Sequence, residues 1–346
     1  MLKITKNQDL SAYNTFRMRA RCNTFVEYDS VADFFDIDFE EIPKPIFSLG
    51  GGSNLLFTKD FEGSIFYSKI DFVEALEEGD GRLLVSVGAG LELDEFCKWA
   101  SEKGYWGIEN LSYIPGKVGA AVVQNVGAYG VEAKDVIRTV CCFDTVEEEF
   151  FKVDAKDCDF DYRYSAFKHP DVKGRYIITH VIFELSKVYS PRLDYGHLKE
   201  MVEAENKDVT PTLIREIVTQ IRKEKLPEVS QMGSVGSYFT NPIIEVEEFK
   251  RIENIVKEDG GGEVPHHFIT HNDMQFVKLS AAWLIDYCGW KGYKEGNVGV
   301  YENQPLVLVN LTSKAKASEI LELEEKIISS IREKFKIELE PEVEKL

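Results

Sequence analysis

Ile114-Pro-Gly-Lys-Val-Gly-Ala-Ala-Val-Val-Gln-Asn-Val-Gly-Ala-Tyr-Gly130 holds seven Gly or Ala residues in seventeen positions and one charge, Lys117. Glycine is the residue that main chain needs where φ is positive or where another group comes close to the backbone. Gly116, Gly119, Gly127 and Gly130 in one segment therefore predict that something presses against this stretch of chain. A glycine-rich surface loop is the plain alternative, but Val118, Val122, Val123 and Val126 are poor material for a solvated linker.

A second cluster lies upstream in Pro45-Ile-Phe-Ser-Leu-Gly-Gly-Gly-Ser-Asn-Leu-Leu-Phe57, which reads as strand, sharp turn and second strand. The apolar run resumes directly after Asn54 without helical spacing, and Leu55 stands where a dinucleotide fingerprint would place its third glycine. A phosphate loop is excluded too, because no Gly-Lys-Ser/Thr follows. Successive amides of Gly51, Gly52, Ser53 and Asn54 can still line an anion-binding concavity without a helix.

The length of 346 residues predicts two or three units with room for a large buried cofactor. No window approaches the eighteen or so unbroken apolar residues that span a bilayer, and Met1-Leu-Lys-Ile-Thr-Lys-Asn has no signal-peptide core, so a cytoplasmic protein is expected. The net charge of −19 repels nucleic acid and anionic membranes, so any anionic ligand needs a local positive or donor-rich pocket. Cys22, Cys97, Cys141, Cys142, Cys158 and Cys288 contain no Cys-x-x-Cys and read as reduced thiols. His266, His267 and His271 cluster, but without an acidic or thiolate partner at a recognised spacing they are read as having no metal role.

Leu83 to Gly90 predicts a strand, and Leu93, Phe96, Cys97 and Ala100 then recur at helical spacing up to Gly104. Strands are expected over Val136 to Phe143 and Arg175 to Leu185, with a turn-rich piece at Tyr162 to Lys168. Thr210-Pro-Thr opens a helix by N-cap and N1 chemistry, ending near Lys225-Leu-Pro227. Beyond it come helices at about 245 to 258 and 278 to 288, a strand from Pro305 to Leu311, and a last helix carrying Ile320, Leu323, Ile327, Ile331 and Phe335. Ile337 and Leu339 alternate with polar residues as an edge or final strand that Pro341-Glu342 stops.

Taken in order, Leu49-Gly-Gly-Gly-Ser-Asn54, Ile114 to Ala121, Gln124 to Gly130, Tyr162-Arg163, Gly236-Ser237 and Leu339-Glu-Pro-Glu-Val343 resemble the UDP-N-acetylenolpyruvoylglucosamine reductase family. The resemblance covers nearly the whole chain. It implies an α+β protein with a two-part FAD-binding region of the p-cresol-methylhydroxylase/vanillyl-alcohol-oxidase type and a smaller α+β substrate-binding domain. The boundaries it suggests are 1–65 and 66–224 for the FAD-binding parts, 225–325 for the substrate domain and 326–346 for a segment returning to the flavin site. It implies FAD as cofactor, NADPH as reductant and a nucleotide sugar as substrate. Leu49, Gly50, Gly51, Gly52, Ser53, Asn54 and the run from Ile114 through Pro115 and Gly116 to Gly119 would lie near the pyrophosphate. Gln124 to Gly130 would lie near the flavin, and Asp194-Tyr195-Gly196 would belong to a substrate-covering loop near 190–200.

Reduction of an enol ether leaves negative charge beside a carboxylate, and an always-charged, planar guanidinium suits that charge. Arg163 matches the family position for it. Glu342 matches a second stabiliser, acting best if kept protonated as a donor, and Ser237 matches the proton source. Lys225, Arg222, Asn241 and Tyr195 match family contacts to the uridine diphosphate. The chain departs from the pattern at Thr240, where lysine often stands before Asn-Pro, and at Lys117, a position usually small and neutral. Two rivals stay open: a flavin oxidase of the same fold, disfavoured because neither glycine cluster holds a His or Cys to tether FAD, and a nucleotide-sugar binding protein that has lost catalysis.

Overall fold

The computed structural model describes residues 1–228, 231–271 and 274–346, and His271's side chain lies outside the described residues. The chain divides into two compact units. The first comprises Met1–Tyr13, Ala20–Gly52 and Asp60–Glu224, and the second Asn14–Arg19, Ser53–Lys59 and Lys225–Leu346.

In the first unit, strands run in the order Lys3–Asp9, Arg21–Tyr28, Phe61–Ser68, Ile46–Leu49. The pairings on either side of Phe61–Ser68 are parallel, and its apolar residues Ile65 and Phe66 are fully buried, as strands covered on both faces require. A second, antiparallel sheet is ordered Glu149–Asp154, Ile137–Asp144, Tyr176–Ser186, Arg82–Gly88, Val73–Gly79. Helix Leu93–Glu102 lays Phe96, Cys97 and Ala100 on that sheet, with Phe96 against Phe183 at 4.8 Å between rings. The predicted strands over 136–143 and 175–185 are therefore present, offset by a residue.

The decisive segment is more ordered than a loop. It contains a helix, Val118–Val123, and a two-residue hairpin strand, Gly127–Ala128, paired with Val131–Glu132. Helix Pro211–Lys225 begins as expected, with Thr210 Oγ1 accepting from the Leu213 amide.

In the second unit, Gly233–Ser234, Leu308–Asn310, Val298–Val300 and Lys294–Glu295 form one sheet, and Ile243–Glu245, Met274–Leu279 and His266–His271 another. The histidine cluster thus belongs to a hairpin strand, and no group of metal-ligating side chains occurs among the described residues. Helices Val246–Glu258, Ala281–Tyr287 and Ala317–Phe335 complete the unit, the last burying Ile320, Leu323, Ile327, Ile331 and Phe335 along one stripe. The expected strand at Ile337 and Leu339 does not form. Both side chains are buried, but pairing starts only at Glu340, and the chain continues past Pro341 to a parallel strand, Glu344–Lys345, beside Leu55–Leu56. Among the described residues no helix is long and apolar enough to cross a membrane.

Candidate functional site

The glycine clusters meet each other. A Cβ on Gly51 would stand 2.8 Å from Gly116 Cα, and one on Gly50 would stand 2.5 Å from Ala120 Cβ. What presses on the backbone at these positions is the second cluster itself, so only glycine lets the two runs of main chain touch. The segment is held in place by amides of Val118 and Gly119 donating to the carbonyls of Leu91 and Ala89, at 2.9 and 3.0 Å. Those two amides are committed to the protein, Pro115 carries none, and the Gly116 amide, at φ +120°, is directed to the Glu92 carboxylate. Leu49 to Asn54 and Ile114 to Gly119 themselves contain no carboxylate, in a chain with a net charge of −19. A neutral glycine turn such as Gly50 to Asn54, apposed to the second glycine run, is the kind of main chain a diphosphate takes, and the residues present fit the pyrophosphate of FAD.

Lys117 does not point its charge into that turn. It is 5% exposed, with Nζ donating to the Ser68 carbonyl at 2.6 Å and lying 3.5 Å from the centre of the Tyr67 ring. Burial pulls its pKa down to about 8, partly opposed by Glu92. Its departure from the family pattern is thus taken up inside the first unit.

Downstream, Gln124–Gly130 is welded to the Tyr162–Lys168 turn. Asn125, fully buried at φ +41°, donates to the Asp161 carbonyl at 2.8 Å, and Ser165 Oγ donates to the Val123 carbonyl at 2.8 Å. The turn closes on itself through reciprocal main-chain bonds between Asp161 and Tyr164, which places Arg163 in the left-handed region at φ +56°. From there Arg163 Nη2 donates to the Gly127 carbonyl at 2.8 Å, and its guanidinium lies 5.0 Å from the Tyr162 ring centre. A Cβ on Gly127 would fall 2.9 Å from Arg163 Nη1, so this glycine makes room for the arginine. Lys168 Nζ, whose part here no motif signals, reaches Gln124 Oε1 and the Arg163 carbonyl at 3.3 and 3.2 Å.

In the second unit the structure brings Ser237 and Glu342 onto one paired segment. The Glu342 amide donates to the Tyr238 carbonyl at 2.8 Å, and the Thr240 amide to the Glu340 carbonyl at 2.9 Å. Asn54 Nδ2 donates to the Glu342 carbonyl at 3.2 Å, while the Glu344 amide donates to the Asn54 carbonyl at 3.1 Å. Ser237 is exposed and follows Gly236, whose φ is +73° and whose missing Cβ would face open space. Beneath it Tyr238 is fully buried and donates from its hydroxyl to Glu324 Oε2 at 2.7 Å, with Lys345 Nζ on the other carboxylate oxygen at 2.6 Å. Burial, reinforced by Glu324, pushes the Tyr238 hydroxyl far above its ordinary range, so it stays a donor. This support for the serine was missed because neither Tyr238 nor Glu324 belongs to a motif.

The expected diphosphate contacts are differently placed. Arg222 donates from Nε to the Tyr113 carbonyl at 3.0 Å, sits with Tyr129 and Asp94, and burial pulls its guanidinium below the ordinary value. Asn241 Oδ1 accepts from the Ala281 amide at 2.9 Å at the start of a helix. Lys225 and Tyr195 are exposed, and the Tyr195 ring stands edge-on to Tyr129 with centres 6.0 Å apart.

Residues 227–346 match the profile of the UDP-N-acetylenolpyruvoylglucosamine reductase C-terminal domain, and residues 40–146 that of an FAD binding domain. A UDP-N-acetylenolpyruvoylglucosamine reductase of Bacteroides fragilis is 40% identical over 335 residues, covering 96% of this chain and 97% of that protein. One from Porphyromonas gingivalis is 38% identical over 348 residues, covering 99% of each. The crystal structure of the reductase from Thermus caldophilus superposes with a TM-score of 0.66 at 22% identity, over 100% of this chain and 98% of that one, and shows the shared fold.

Proposed function

The chain belongs to the UDP-N-acetylenolpyruvoylglucosamine reductase family, and on that premise we propose that Arg163, Ser237 and Glu342 carry its chemistry. The protein is an FAD-containing, NADPH-dependent oxidoreductase that reduces UDP-N-acetylglucosamine enolpyruvate to UDP-N-acetylmuramate in peptidoglycan precursor synthesis. When bound, FAD would supply hydride-transfer chemistry between NADPH and the enolpyruvyl group; Leu49 to Asn54 and Ile114 through Pro115 to Gly119 would hold its pyrophosphate, and Gln124 to Gly130 would run beside its ring.

Negative charge then grows on the adjacent carbon and its carboxylate. Arg163, fixed through Gly127, presents a guanidinium that needs no reorganisation to meet that charge. Glu342 donates a hydrogen bond to the same developing charge. Ser237 Oγ delivers a proton to the carbon, a step open to a weak acid because a carbanion-like centre is strongly basic. The observation that carries this reading is the main-chain pairing of Tyr238 and Thr240 with Glu342 and Glu340, which puts the proposed acid and the proposed stabiliser on one rigid edge.

Residues 1–224 take the flavin, 225–325 the substrate, and 326–346 return to the flavin site. Arg222, Lys225, Asn241 and Tyr195 serve the uridine diphosphate. We take its action to be cytoplasmic, and the net charge of −19 disfavours nucleic-acid and anionic-membrane partners.

Half-reaction kinetics test the assignment. Ser237→Ala should leave flavin reduction by NADPH intact and cripple flavin reoxidation by the enolpyruvyl substrate. Survival of both half-reactions would assign the proton to another group.

A further inference from the structure

We infer that Asn110 is a positioning residue for the substrate step, tying the root of the tyrosine loop to the flavin-side segment and so setting where Tyr195 stands. The inference rests on the reading of Tyr195 as a substrate contact. Asn110 sits on the short turn Glu109–Leu111 of the first unit and is 0% exposed. Its carboxamide nitrogen spends both hydrogens on main-chain carbonyls, those of Tyr129 and Arg192, each at 2.8 Å. One carbonyl belongs to the Gln124–Gly130 segment and the other to the loop. The amide cannot be reversed, since that would set its oxygen against two carbonyl oxygens.

Asn110 Oδ1 is buried and accepts no hydrogen bond from the described residues. An apolar residue would fill the space without that cost, so what the asparagine contributes is the pair of carbonyl contacts. Between strand Tyr176–Ser186 and helix Leu198–Ala204 the chain forms no helix or strand, and Tyr195 is 56% exposed. The loop's other described ties lie at its start or on side chains: the Lys187 amide donates to the Gly81 carbonyl at 2.7 Å and its amine pairs with Glu78, Tyr189 stands edge-on to Trp106 at 5.3 Å, Leu193 packs on the core around Trp106, Arg192 Nη1 lies 3.7 Å from Asp135, and Tyr195 sits beside Tyr129. Gly130, at φ +79°, lies beside Tyr195, with the position of a Cβ there an ordinary contact distance of 3.5 Å from Tyr195 Cβ. Asn110 therefore fixes the distance between loop root and flavin-side backbone, and Tyr195 inherits that position.

The test uses the flavin-loaded enzyme and the enolpyruvyl nucleotide sugar. Asn110→Ala should raise the substrate KM about tenfold with kcat changed far less, as expected where a contact is displaced rather than removed from the chemistry. NADPH-driven flavin reduction should be unchanged. Tyr195→Ala should raise KM similarly, and the double variant should be no worse than Tyr195→Ala alone, because both changes remove one positioned contact. Asn110→Ala with an unaltered KM, beside a Tyr195→Ala that raises it, would overturn the inference, as would fully additive losses. A Tyr195→Ala with unaltered KM would instead remove the underlying reading of the tyrosine, and the inferred role with it. If the alanine variant does not fold, Asn110→Ser keeps the site small and polar. Faster amide exchange over 187–197 in that variant supports the tie, and unchanged exchange refutes it.

Discussion

Replacing Lys117 with methionine, which keeps the chain length and removes the charge, should reverse its effect on stability with pH. The amine is held at about 8 against an ordinary value of 10.5, chiefly by burial, with Lys69 lowering it and Glu92, Asp71 and Glu27 opposing. Lowering from 10.5 to about 8 corresponds to about 3 kcal/mol against the charged form, and solvent screening of the exposed Glu92, which opposes the shift, does not reduce that cost. Below pH 8 the folded state carries this cost. Between pH 8 and 10.5 the unfolded chain still holds the proton that the folded chain has released, so wild-type stability rises with pH. Methionine carries no such dependence but leaves the Ser68 carbonyl without the amine, a loss of about 1 kcal/mol. Lys117→Met should therefore be about 2 kcal/mol more stable than wild type near pH 7 and about 1 kcal/mol less stable near pH 10.5. Urea unfolding of the flavin-free protein, variant and wild type at matched pH, measures this. A difference that stays constant across the range would refute the depressed amine. A variant already weaker at pH 7 would show that the Ser68 and Tyr67 contacts outweigh burial.

Three further outcomes follow from the same geometry. Glu342→Gln should keep markedly more substrate-dependent turnover than Glu342→Ala, since the amide can still donate; equal loss in two folded variants would exclude hydrogen donation. Gly51→Ala sets a methyl 2.8 Å from Gly116 Cα, backbone against side chain with no flexible end to yield, and should yield protein with weakened FAD binding. Flavin content at wild-type level after purification would contradict the apposed-loop cradle. Tyr238→Phe removes the hydroxyl donor to the buried Glu324, whose other carboxylate oxygen is held by Lys345, and should cost about 1–3 kcal/mol of stability, read as a lower denaturation midpoint.

Periodicity made some of this molecule readable in advance. Helix Ala317–Phe335 follows from Ile320, Leu323, Ile327, Ile331 and Phe335, because a stripe of apolar side chains is a local property. Thr210-Pro211 announced its helix for the same reason. Register between distant strands is not local. Nothing in Leu55-Leu56 states that Glu344-Lys345 will run parallel to it, and alternation at Ile337 and Leu339 suggested a strand where the chain only buries two side chains. Lys117 was visible as an odd residue, but its burial under the Tyr67 ring depends on a strand fifty positions upstream.

The glycines show the same division between kind and cause. Their number pointed to positive φ or to main chain pressed by a ligand, whereas the close neighbours in the structure are protein atoms, a matter of tertiary structure. Gly51 is met by Gly116, Gly119 by Ala89 and Gly127 by the guanidinium of Arg163. Each contact is protein against protein, so the proposed cradle is shaped by packing before any ligand enters. Arg163 is positioned through Gly127, so a side chain at that glycine should displace the proposed charge stabiliser and lower turnover even where flavin content is retained. Gly127→Ala with full turnover would show that the guanidinium can do its work from another position.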